Sequence, residues 1–343
     1  MPKRLVCTAK GQLAWQEYEE PPLRPGQVRI RAQFAAAKHG TEMAFFKGYG
    51  TERGRYDPEY GLFRKDTEGR SPYPFAVGNM IVGIVEEVAA DVSAVALGDR
   101  VCAYSGFRET CVVGQGACWK LPQGMSGKSA VCLDPADFAL GAVRDGHVRI
   151  GDAVAIFGLG AIGLMAVQVA RLAGADPVIG IDPLANRRHV AQELGADLVL
   201  DPTTTDVGLA LKEATAKRGV DVAIDYSGAA AAVQQALRGV AYGGTVVLGS
   251  FPPPYPAGLD LGAEAHLNIP TIVFSRACSQ PDRDHPRWDN DRIYDVCWKL
   301  LCEGKLTGEP IVQPVVAFEE LIEEYPKIAT HPEANIKLGA TFI

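Results

Sequence analysis

The stretch Gly158-Leu159-Gly160-Ala161-Ile162-Gly163 spaces three glycines as a chain needs them to wrap a phosphate. Gly158 permits a tight turn, Gly160 lets the backbone approach a pyrophosphate, and Gly163 lets a helix pack closely on the preceding strand. The first N–H groups of that helix, at Ala161 and Ile162, would face the anion. Asp182 stands nineteen residues beyond Gly163, near the roughly 20-residue interval at which a carboxylate meets a ribose diol. A carboxylate there accepts hydrogen bonds from the diol and repels a 2′-phosphate, which predicts NAD. Arg187, with Arg188 beside it, could pair with a 2′-phosphate and keeps NADP as the lesser alternative.

The turn has meaning only between a strand and a helix, and the flanking sequence supplies both. From about Gly151, short apolar β-branched runs alternate with longer amphipathic ones. AVAIFG reads as a buried strand, AIGLMAVQVARLAGA as a helix closed by Gly174, PVIGID as a strand and LANRRHVAQELGA as a helix closed by Gly195. The rhythm continues through LVL, a helix over Val207 to Lys217, DVAIDYSG, a helix over Ala229 to Val240, GGTVVLGS and TIVFS. Such alternation predicts a parallel sheet covered on both faces, a doubly wound Rossmann domain spanning 137–274. Ser227 and Gly249, at the ends of its later strands, are assigned to the same nucleotide site.

The first 136 residues have a different pattern. QVRIRAQFAA alternates with period two, and GIVEEV and DRVCAY are short strand candidates between turn residues, which predicts a mostly-β unit. Residues 48–74, rich in Gly, Arg and Tyr, read as a long excursion without strand or helix period.

Composition bounds the class. A chain of 343 residues exceeds one core and favours two domains. It is 47% apolar and 22% charged and has no apolar run of the roughly 18 residues a membrane span needs. The opening residues carry no export signal, so cytoplasm is the expected compartment. Eight cysteines without a CxxC argue against a disulfide scaffold or a zinc ribbon. A net charge of −7 without a basic block excludes the footprint of a nucleic-acid binder and favours small-molecule chemistry.

With these motifs in place the chain resembles the medium-chain dehydrogenase/reductase superfamily, the zinc alcohol dehydrogenase-like proteins, over nearly its whole length. PPLRPGQVRIR, HGTE, VGNMIVGIVEEV followed by LGDRV, GLGAIGLMAVQVARLAGA, ELGADLVLDP and the closing IKLGATF carry the resemblance. It implies a GroES-like catalytic domain over 1–136 followed by the Rossmann domain, a return of residues 275–343 to the catalytic domain, and hydride transfer between a CH–OH group and a nicotinamide. The strand TIVFS sits where relatives pair across a dimer, which implies a homodimer or homotetramer.

The zinc ligands of that family are not matched. Where it has a cysteine before a Gly-Thr-Asp-like turn, this chain has His39, followed by Thr41 and Glu42. Where it has a Gly-His-Glu histidine there is Asn79, with Met80 after it, and at the third ligand position stands Asp134. The lobe for a structural zinc is missing. An asparagine amide is a poor zinc ligand, so zinc is not expected. His39 is then the first candidate to take the hydroxyl proton, Lys38 the second or a substitute positive charge, Asp134 an orienting group and Asn79 a donor to the substrate oxygen. Thr41 and Glu42 are assigned to substrate.

Loops rich in Arg, Asp, His and aromatics suit a polar ligand. Trp288 would stack on a sugar or cyclitol ring, and Arg287 would pair with a polar or anionic group. The expected reaction is NAD-linked interconversion of a secondary alcohol, such as a sugar or polyol, and its ketone. A metal-free reductase of an activated C=C bond and a non-catalytic NAD-sensing protein stand as alternatives.

Overall fold

The computed structural model describes residues 1–50, 53–64, 71–255, 258–277, 279 and 282–342. The chain divides into two compact units, residues 1–131 with 312–343, and residues 132–311.

The first unit is built on a seven-stranded sheet in which Gln27–Ala36 is central. Its period-two pattern works as expected: Val28, Ile30, Ala32 and Phe34 point into the core. Met80–Val88 and Thr110–Gly114 pair antiparallel with it, and the closing strand Gly339–Thr341 pairs with its far end, Gly339 opposite Ala36. That register lays the last residues of the chain beside residues 36–39. The helix His39–Phe46 starts soon after the central strand and buries Met43, Ala44 and Phe46. The core beneath gathers Ile30, Ile81, Val101, Phe107, Phe318 and Leu338. Each such side chain contributes about 1.5–3 kcal/mol when fully buried.

Residues 51–52 and 65–70 of the predicted excursion lie outside the described residues, but the segment is not structureless. Arg55–Asp57 and Leu62–Arg64 form a hairpin. Asp57 organises its turn by accepting from the Glu59 and Tyr60 N–H groups at 3.0 and 3.3 Å. Tyr56 and Phe63 stack edge to face across it, both exposed. Three-residue strands are too short to carry an alternating pattern, which is why no sign of them is visible in the residue order.

The second unit carries a six-stranded parallel sheet. Counted along the chain, its strands Val154–Phe157, Val178–Ile181, Leu198–Leu200, Val220–Asp225, Val240–Leu248 and Thr271–Phe274 lie in the order 3-2-1-4-5-6. The order reverses at Val154–Phe157, where ligands bind in doubly wound sheets. The unit is larger than the predicted 137–274. The helix Leu133–Asp145 packs its Ala136, Ala139, Ala142 and Val143 face in this unit, against the helices Ala161–Leu172 and Asn290–Cys302. The boundaries therefore fall at 131/132 and 311/312. The helix Asn290–Cys302, which buries Ile293, Cys297 and Leu301, belongs to the nucleotide unit and not to the returning segment. Among the described residues no helix is long and apolar enough to cross a membrane.

Candidate active site

In the second unit the strand Val154–Phe157 ends at Gly158, whose φ of 84° is in the left-handed region; a Cβ there would lie 2.5 Å from the Ser227 nitrogen. A Cβ on Gly163 would lie 2.0 Å from the Gly158 carbonyl oxygen, so the helix sits as close to the turn as backbone allows. Gly160 differs: a Cβ there meets nothing within 4 Å. The open space lies at the N-terminus of the helix Ala161–Leu172, which has no side-chain cap. Unpaired N–H groups and the helix dipole make such an end favourable for an anion. The turn fits a dinucleotide pyrophosphate.

Asp182 follows the strand Val178–Ile181. Its Oδ2 accepts from Leu159 N–H at 2.8 Å and its Oδ1 from Leu184 N–H at 2.9 Å, tying the strand end to the glycine turn. A carboxylate has about four acceptor sites, so two remain for a ribose. Arg187 stands 3.7 Å from Oδ2. Ser227 Oγ donates to Asp225 Oδ1 at 2.5 Å and Gly249 N–H donates to the Asp225 carbonyl at 3.0 Å, so both residues are organised by Asp225. Asp225 is fully buried and its carboxyl is pushed up by burial. It also accepts from the Gly228 N–H and the Ser250 hydroxyl. The glycine pattern gave no reason to single it out.

In the first unit the turn Ala37-Lys38-His39 is gripped by the end of the chain. Ala37 N–H donates to Leu338 O at 3.0 Å, Lys337 Nζ to Ala37 O at 2.7 Å, and Leu338 N–H to His39 Nε2 at 2.8 Å. With Nε2 accepting, the proton of a neutral imidazole sits on Nδ1. Glu42, one turn along the helix, is 8% exposed and accepts from Lys38 N–H (2.7 Å), Gly78 N–H (3.0 Å) and Tyr325 Oη–H (2.6 Å). Burial pushes its carboxyl up, opposed by these donors and by the charge of Lys337. Asn79 follows Gly78. Its backbone is paired to Ala36 O and Ser105 N, yet its buried Nδ2 has no acceptor among the described residues. Thr41 is exposed on the same helix as Glu42.

Asn79 supplies an amide, Nε2 of His39 already accepts a backbone N–H, and Glu42 spends its oxygens on three donors. Among the described residues no three His, Cys, Asp or Glu side chains gather as a metal site.

The remaining predicted residues lie in the second unit. Asp134, 2% exposed, is in the first turn of the helix Leu133–Asp145. Trp288 belongs to the other end of that helix: the Arg144 guanidinium lies 3.6 Å from its ring centre and Arg292 lies 4.3 Å away. Ten residues of helix separate Asp134 from Arg144, about 15 Å at 1.5 Å per residue. Arg287 is exposed and stands 3.7 Å from Asp284, which also pairs with Arg144. The expected stacking and pairing groups, Trp288 and Arg287, thus form an ionic cluster of their own, away from Asp134. Tyr325 and Lys337 were missed. A lysine inside the apolar run NIKLGATF was the one available signal.

The comparisons agree with this architecture. Residues 24–151 match the family model described as alcohol dehydrogenase GroES-like domain, and residues 161–281 match that described as zinc-binding dehydrogenase. The chain is 45% identical to a D-guloside 3-dehydrogenase of Escherichia coli (strain K12), covering 99% of this chain and 100% of that one. The crystal structure of 2R,3R-butanediol dehydrogenase from Bacillus subtilis superposes with a TM-score of 0.80 at 24% identity, covering 99% of each chain. An alcohol dehydrogenase from Escherichia coli CFT073, solved with NADH, superposes with a TM-score of 0.78 at 20% identity, again over 99% of each. Two matched domains in this order and a full-length relative at this identity make the chain a member of the medium-chain dehydrogenase/reductase superfamily, among its zinc alcohol dehydrogenase-like proteins.

Proposed function

We propose that this protein is an NAD-dependent dehydrogenase that oxidises a secondary hydroxyl of a sugar-like substrate, a glycoside or polyol, to the ketone without zinc. The reaction class and the substrate rest on the full-length relationship to the D-guloside 3-dehydrogenase. NAD over NADP rests on Asp182, whose carboxylate keeps two acceptor sites for a ribose diol and repels a 2′-phosphate. The Gly158–Gly163 turn would hold the dinucleotide by its pyrophosphate, and its nicotinamide would supply the hydride acceptor.

The observation that carries the site is Asn79 Nδ2, a buried donor with no acceptor among the described residues. A buried donor left unpaired costs about 1–3 kcal/mol, and a substrate oxygen would remove that cost. Asn79 Nδ2 donates to the oxygen as charge develops on it, beside the imidazole of His39, doing by hydrogen bonding what a Lewis acid would do. Lys38, next to His39, supplies a positive charge in place of a metal's, the hydroxyl proton leaves to solvent, and the exposed Thr41 lines the approach. Oxidation of the secondary carbinol would thus yield the ketone, the carbon giving up a hydride and the oxygen a proton to solvent.

We further propose a homodimer or homotetramer. The strand Thr271–Phe274 is an edge of its sheet and exposes Ile272 and Phe274, the latter by 72%. An apolar exposed edge is a surface that proteins normally cover. The function is tested by NADH formation at 340 nm on a panel of alkyl gulosides, other glycosides, free polyols and butanediol. Turnover on glycosides or polyols with NAD is expected. Turnover confined to enones with NADPH, or none with NADH still binding, would overturn it.

A further inference from the structure

We infer that Glu42 is a positioning residue that fixes the separation of His39 and Asn79, and is not a substrate ligand. This rests on the reading above, in which those two side chains meet the substrate oxygen. One carboxylate oxygen takes the N–H of Lys38, the residue before His39, and the other takes the N–H of Gly78, the residue before Asn79. A single buried side chain therefore joins the two backbone segments that carry those side chains, each one peptide away from the side chain it sets.

The clamp is itself held. Tyr325 Oη–H donates to the oxygen that takes Gly78, from 283 residues along the chain, and its ring packs edge to face on Phe46 at 5.5 Å. Lys337, 2% exposed, places its ammonium on Ala37 O, one residue before Lys38. A carboxylate accepting three donors and facing a buried cation has little capacity left for a substrate hydroxyl. Donors aimed at a transition state lose effect when they drift by about 1 Å, so loosening the clamp should slow chemistry more than it weakens binding.

The test is Glu42→Gln, with Tyr325→Phe as the milder variant that keeps the ring packing. In Glu42→Gln one of the two backbone N–H groups faces an amide NH2 in place of an oxygen. The expected result is a fall in kcat of about 10- to 100-fold in Glu42→Gln and a smaller fall in Tyr325→Phe. KM for NAD and the Kd for NADH stay within about twofold of wild type, and the deuterium isotope effect on kcat with C–H-labelled substrate grows. A lowered Tm with unchanged kcat per folded enzyme and an unchanged isotope effect would reduce Glu42 to a scaffold role and overturn the inference. A double-mutant cycle with Asn79→Leu separates the two claims. If Asn79→Leu is slow and Glu42→Gln adds little to it, both stand. If Asn79→Leu is slow and the effects multiply in full, the positioning role fails alone. If Asn79→Leu turns over normally, the reading of the site fails first.

Discussion

Replacing Asn79 by leucine should make the enzyme more stable and much slower, an opposition of effects that a merely structural asparagine would not produce. The side chain buries an amide nitrogen with no acceptor among the described residues, a cost of about 1–3 kcal/mol. Leucine is close in size and keeps both backbone hydrogen bonds of the position, to Ala36 O at 2.9 Å and from Ser105 N at 3.0 Å. The folded enzyme without ligands should therefore gain about 1–2 kcal/mol, seen as a rise in Tm of about 2–8 °C. In the reaction the same substitution removes a donor from the developing oxyanion, which typically costs about 10²–10³ in kcat, or roughly 2.7–4 kcal/mol. Thermal unfolding without cofactor and initial rates at 340 nm read the two effects on one preparation. A Tm lower than wild type by more than about 3 °C would mean that the amide has a partner in the free protein. A kcat within about threefold of wild type would mean that it never touches the reacting oxygen.

Three other outcomes follow from the geometry. Gly160→Ala should fold normally, since its Cβ meets nothing within 4 Å, yet raise KM for NAD about tenfold by filling the anion's space, whereas Gly163→Ala should lose about 2–3 kcal/mol of stability by striking the Gly158 carbonyl at 2.0 Å; unfolding curves and cofactor titrations compare them. Asp182→Ala should shift the NAD/NADP ratio of kcat/KM toward NADP by up to about 1,000-fold, because a repulsion worth about 4 kcal/mol at 4 Å is removed; equal losses with both cofactors would count against the ribose role. Cys111, pushed up to about 12 by burial, should resist iodoacetamide at pH 8, where only about one thiol in 10⁴ would be ionised; rapid modification of the native protein, located by peptide mass, would contradict that burial.

The doubly wound unit was legible because each of its signals is local. The apolar strands, the capping glycines Gly174 and Gly195 and the Gly158–Gly163 turn all lie within a few residues of the elements they define. The helices end where those glycines take φ of 87° and 102°. The nucleotide half of the site followed from the same local chemistry. The unit boundaries did not, because whether the helix Asn290–Cys302 joins the nucleotide unit depends on the helix Leu133–Asp145 it packs against, a contact with no sequence signature. The substrate half was harder for the same reason. Glu42 reads as a substrate-binding group, with nothing local to show that Tyr325 and Gly78 donate to its oxygens. His39 reads as a free imidazole until Leu338 N–H is found on Nε2. Trp288 reads as a stacking platform until Arg144 and Arg292 lie over its ring. In each case the deciding partner arrives from beyond the local stretch that suggested the role.

If hydrogen-bond donors, and no zinc, hold the substrate oxygen in this member of a zinc dehydrogenase superfamily, turnover must survive removal of metal. The direct measurement is NADH formation from an alkyl D-guloside and NAD by protein dialysed exhaustively against a strong chelator, with zinc per chain measured by elemental mass spectrometry on the same sample. Full activity is expected at well under about one-tenth of a zinc per chain, with no gain on adding zinc. Activity that disappears with the chelator and returns in proportion to one tightly held zinc per chain would contradict it.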